Sequence, residues 1–108
     1  MTKKGKVFYR DKLAGIISET NDGYIFRYDE AYLGDNNARP VSLTLPLNKG
    51  AYFSRVLFPF FDGLIPEGWL LDIATAHWKI KSYDRFELLL RTCGDTIGAV
   101  YIVPDDNN

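Results

Sequence analysis

Histidine and cysteine are nearly missing from this 108-residue chain, with His77 and Cys93 the single examples of each. A lone cysteine excludes an internal disulfide and fits a reducing cytoplasm. One His and one Cys cannot supply the four ligands of a structural zinc site. Any Ser–His or Cys–His nucleophilic pair would have to use His77, which lies among apolar neighbours and reads as a core-edge residue. Cys93 shares helical spacing with Phe86, Leu89 and Leu90, so it reads as a buried, inert thiol.

An excess of one charge is missing too. Thirteen Lys and Arg against fourteen Asp and Glu leave a net charge of −1, which gives no field to attract nucleic acid or anionic lipid. The basic start Lys3-Lys4-Gly5-Lys6 reads as a solvated tail. The start of the sequence lacks an apolar h-region and a small-residue cleavage site, so no signal peptide is visible, and no apolar run reaches the roughly 20 residues of a membrane span. Walker-type loops, G-x-G-x-x-G and H-E-x-x-H do not occur, and Gly94-Asp95-Thr96-Ile97-Gly98 is only superficially like a phosphate-binding turn. Asp62, Glu67 and Asp72 are close in sequence. A helix N-terminus accounts for Glu67 and solvent for the other two, so they read as structural carboxylates. No cofactor is implied and no enzyme is expected.

What the chain does have is aromatic content, at 15%, and one dense apolar stretch. In Leu57 to Leu71, nine of fifteen residues are large and apolar, yet Pro59, Gly63, Pro66 and Gly68 divide the run. It reads as two short helical pieces meeting at an Ile65-Pro66 corner, because Pro66 disfavours helical geometry at Ile65 and suits the start of the next helix. Trp69 stands just past that corner, at the margin of the buried stripe, either as core or as an exposed anchor. Trp78 rests partly on the core.

Before this stretch the pattern is of strands. Lys6 to Tyr9 and Leu13 to Ile17 flank a polar turn, and Asn21-Asp22-Gly23 is a strong turn signal before a third strand at Tyr24 to Tyr28. Asp29 caps a single helical turn that Gly34 stops. Val41 to Leu45 alternates as a half-buried strand closed by Pro46, and Leu47 to Phe53 is irregular. Ser54 caps a helix running to about Leu64, weakened or delayed by Pro59. Further helices follow from Glu67 to about Lys79 and from a Ser82 cap to Gly94, and Ile97 to Val103 is a last strand closed by Pro104. The expected fold is a single α+β domain over residues 1–108. It is an antiparallel β-meander, a strongly twisted sheet or small barrel, with two to three helices in the second half and a returning C-terminal strand.

Five segments in order carry a family resemblance: Tyr28 to Leu33, Pro40 to Leu47, Phe60 to Gly68, Phe86-Glu87-Leu88-Leu89, and Gly94 to Ala99. Together they resemble the N-terminal subdomain of HipA-family toxin kinases, whose segments read approximately Y-x-x-x-Y-L, P-L-S-x-S-L-P-L, F-F-x-N-L-L-P-E-G, F-x-L-L and G-D-C-x-G-A. Gly63 replaces the usual Asn and Thr96 the frequent Cys, which marks a divergent member. The family's kinase core lies beyond the matching region, so no kinase residue carries over. Met1 and the polar end at Asn108 read as natural termini, and within the family the chain is similar to HipS, the small separately encoded proteins of HipB–HipS–HipT systems.

The resemblance implies a cytoplasmic antitoxin that binds and inhibits a HipT-like kinase toxin, with a helix-turn-helix HipB protein supplying DNA contact through the complex. It implies no direct nucleic-acid or membrane contact. The implied kinase-facing residues are Asp62, Ile65, Pro66, Glu67, Gly68 and Trp69. The same resemblance fits two other roles: a non-inhibitory scaffold between kinase and HipB, or a detached N-terminal fragment of a full-length kinase.

Overall fold

The computed structural model describes residues 3–65, 86, 89, 90 and 99–105. Five strands form one antiparallel sheet: β1 (Lys4–Tyr9), β2 (Lys12–Glu19), β3 (Tyr24–Tyr28), β4 (Tyr52–Ser54) and β5 (Val100–Pro104), in the order β4-β3-β2-β1-β5. Among the described residues, two single-turn helices accompany them, α1 (Glu30–Leu33) and α2 (Pro59–Asp62), beside the helical Phe86, Leu89 and Leu90. The sheet is open, with β4 and β5 as its edges, so the barrel alternative does not hold.

The first three strands form the expected meander. Arg10 takes a left-handed φ of 58° in the β1–β2 turn, and its N–H donates to the Ala99 carbonyl at 2.6 Å, which ties the start of β5 to that turn. Between Val7 and Phe8 the register shifts, because Gly15 and Leu13 take consecutive partners and Ala14 is the extra residue. A bulge leaves one residue out of the ladder, and here the Ala14 carbonyl accepts from Asp29 N–H at 2.8 Å. Asp29 then caps α1 as expected, accepting from Tyr32 N–H at 3.3 Å. At the β2–β3 turn the Thr20 hydroxyl accepts from Asp22 and Gly23 N–H. Gly23 is required there, since a Cβ would stand 2.3 Å from the Ser54 carbonyl on β4.

Alternation gives the sheet two unlike faces. On the inner face Gly5, Val7, Ile17, Phe26, Tyr28, Val100 and Ile102 are buried. Phe86, Leu89 and Leu90 are helical and buried, three positions of the expected apolar helix face. They cover this side: a Cβ on Gly5 would meet the Leu90 side chain at 2.7 Å, and the Phe86 ring lies 5.6 Å from Tyr24. The outer face has Val103, Lys6, Ile16 and Arg27 in one row across β5, β1, β2 and β3, and Ile25 beside Phe53 in the next.

Three expectations for the middle of the chain are corrected. Val41 to Leu45 is not a strand: only an isolated bridge joins Ser42 and Leu45, and Leu43 is 95% exposed between the buried Val41 and Leu45. Tyrosine hydroxyls take the place of a ladder. Tyr28 OH accepts from Val41 N–H at 3.0 Å and donates to the Leu45 carbonyl. Tyr32 OH donates to the Arg39 carbonyl at 2.6 Å and accepts from its N–H, and Tyr52 OH donates to the Pro46 carbonyl. Leu47 to Phe53 is not wholly irregular, because β4 begins at Tyr52. Ser54 belongs to that strand and caps no helix. Pairing to β3 outweighs a weak cap signal followed by Pro59. The helices expected at Glu67 to Lys79 and from Ser82, with His77, Trp78, Cys93, Gly94 and Ile97, otherwise lie outside the described residues.

Burial pushes the Tyr28 hydroxyl up to about 12, partly opposed by the Val41 N–H. Tyr28 is therefore neutral when folded. A raised folded pKa contributes stability that is whole below the unfolded value near ~10 and is lost as pH rises through the folded one. Tyr28→Phe leaves a buried N–H and C=O without their partner and should cost about 1–3 kcal/mol in urea unfolding. Its loss of stability between neutral and strongly alkaline pH should be smaller than that of the unmodified chain.

Candidate functional site: the α2 corner

Leu57 and Phe58, both 7% exposed, carry the chain from the sheet edge into the core. α2 starts immediately after them. Phe58 is its N-cap without a side-chain bond and Pro59 is at N1, where a missing N–H costs nothing and a fixed φ is already helical. Pro59 thus delays the helix, as the sequence implies, and Gly63 ends it sooner than Leu64. Phe61 is the pivot. It is fully buried, with ring centroids 5.4 Å from Phe26, 6.0 Å from Phe58 and 5.2 Å from Phe60. Tilted and edge-on pairs of this kind add to the area they bury.

After α2 the backbone tightens into i→i+3 bonds. Leu64 N–H donates to the Phe61 carbonyl at 3.0 Å and Ile65 N–H to the Asp62 carbonyl at 3.2 Å. Two of the expected partner-facing residues are therefore joined through the main chain. Asp62 is half-buried on α2, while Ile65 is 7% exposed and lies in the chain's own core, where it holds the exit from the corner. Pro66, Glu67, Gly68 and Trp69 lie outside the described residues.

Two open hollows, of about 470 and 410 Å³, are lined by Arg27, Glu30 and Lys49 among others and by Tyr9, Arg10 and Arg39 among others. Neither is bordered by Asp62 or Ile65. At the second hollow Lys12 donates to the Asp35 carboxylate; this bond lowers the Asp35 pKa and raises that of Lys12. Lys12 is exposed and Asp35 half-buried at the surface, so the pair is screened. Among the described residues no three His, Cys, Asp or Glu side chains gather as a metal site, and no helix is long and apolar enough to cross a membrane.

Residues 5–103 match the family described as the HipA N-terminal domain. The chain belongs to the HipA N-terminal domain family. A solved structure titled "N-terminal domain of HipA toxin" superposes with a TM-score of 0.73 at 30% identity, covering 98% of this chain and 95% of that one. An uncharacterised protein of Haemophilus influenzae is 35% identical over 102 residues, covering 94% of this chain and 92% of that protein. Y4mE of Sinorhizobium fredii, named as a candidate kinase, is 33% identical over 101 residues, which cover 93% of this chain but 24% of Y4mE. A HipA N-terminal domain is thus found both at this length and as about a quarter of a longer chain.

Reading the sequence missed Tyr28, Tyr32 and Tyr52 as organisers of the loop beside this corner. The only signal was tyrosines on either side of a segment bracketed by Pro40 and Pro46. Phe61→Ala should destabilise the domain by about 3–5 kcal/mol. Asp62→Ala should change the urea midpoint much less, which would separate the corner's support from its surface.

Proposed function

We propose that this chain is an antitoxin of the HipS kind, which binds a separately encoded HipA-like kinase, HipT, and holds it inactive. The observation that carries the reading is the pair of relatives. The same domain makes up most of the H. influenzae protein and about a quarter of Y4mE, a protein named as a candidate kinase. A domain that packs against a kinase within one chain can dock on it as a separate chain.

Docking is assigned to the corner whose surface begins at Asp62, over the buried Ile65, and continues through Pro66, Glu67 and Gly68 to Trp69. Trp69 enters or lids the kinase cleft and excludes nucleotide or substrate. A rigid aromatic beside a Pro-fixed turn loses little entropy on binding. The chain itself performs no chemistry in this mechanism. HipB joins the complex and supplies DNA binding, and the chain acts in the cytoplasm.

Kinase assays with HipT and the purified chain test this directly. The chain should suppress phosphorylation, and Trp69→Ala should weaken inhibition by roughly 2–4 kcal/mol while leaving the domain folded. Tight binding with undiminished phosphorylation would establish the scaffold role instead.

A further inference from the structure

A second surface stands apart from the α2 corner. The outer face of the sheet mixes apolar and cationic groups, whereas the inner face is buried. Phe8 and Tyr101 stack there at 4.9 Å with ring planes 4° apart. Phe53 on the edge strand is 54% exposed. Lys6 and Arg27 are the register neighbours of Ile16, one on either side. Among the described residues neither cation forms an ion pair. The strands contain one carboxylate, Glu19, and its partner Tyr24 lies against Phe86 on the inner side. Asp105, just past β5, stands at the Lys4 end of the sheet and away from Arg27.

We infer that this outer face is a second docking surface, which takes an apolar patch edged with carboxylates on the kinase. The inference rests on the reading that the chain binds a HipA-like kinase and adds where and by what chemistry. Charge selects the occupant. A second copy meeting this face through a two-fold axis sets the same cationic patch against itself, while a carboxylate-edged partner satisfies Lys6 and Arg27 and positions the apolar centre. Size assigns the face a share of the interface. Four inter-strand steps of about 4.8 Å and three rows of side chains give on the order of 300 Å². A standard interface takes about 800 Å² per partner, so this face works together with the α2 corner.

The test measures binding of the purified chain to HipT at two salt concentrations. Arg27→Glu and Phe53→Ser, both at exposed positions and each checked by thermal melting, should weaken binding roughly tenfold or more. The unmodified chain should bind less tightly at high salt. Arg39→Glu, the same charge reversal on the tyrosine-held loop, should bind as before. Equal weakening by Arg39→Glu, or full affinity in both face variants, overturns the assignment while leaving the kinase partnership standing. A self-associated chain that Phe53→Ser dissociates gives the face to a second copy and overturns it as well. No binding by the unmodified chain removes the kinase reading itself.

Discussion

One phenol oxygen holds the middle of this domain together. Tyr28, at the end of β3, lends its hydroxyl to Val41 N–H and to the Leu45 carbonyl, so a segment with no strand partner still has its backbone satisfied. Buried amide and carbonyl groups need such partners, and an irregular loop rarely finds them. Tyr32 and Tyr52 do the same on either side, at Arg39 and Pro46. With the backbone secured, Val41 and Leu45 can turn inward beside Tyr28 while Leu43 remains outside. The side of the core between α1 and β4 depends on this arrangement.

The same arrangement explains what could be read in the amino-acid sequence. Strands bounded by polar turns, such as β1 to β3, announce themselves through alternation and Gly23. α1 does so through Asp29. These signals are local, and local signals survive folding. Val41 to Leu45 alternates just as well, yet the alternation was misleading, because hydroxyls contributed from other segments decide its conformation. β4 was hidden for the complementary reason: Tyr52 to Ser54 is too short for a pattern and becomes a strand only because β3 is available beside it.

At the candidate site the division is similar. The late start of α2 follows from proline geometry at Pro59 and was visible, whereas its end at Gly63 comes sooner than the stop at Ile65 that Pro66 implied. The burial of Phe61 among three other rings was foreseeable as apolar density but not as a specific cluster, since Phe26 lies far away in sequence. Membership of the HipA N-terminal family was legible from five short segments whose order mattered more than any one of them. The amphipathic character of the sheet was not, because it depends on register across four strands.

The pairing of β1 with β5 has a consequence for how the domain is made. Gly5 lies opposite Pro104, so the second strand to be laid against β1 comes from the far end of the domain. Such non-local closure is slow, since the loop must be ordered before the contact rewards it. During synthesis the β1–β3 meander emerges first with one flank open, and that flank closes only when β5 leaves the ribosome.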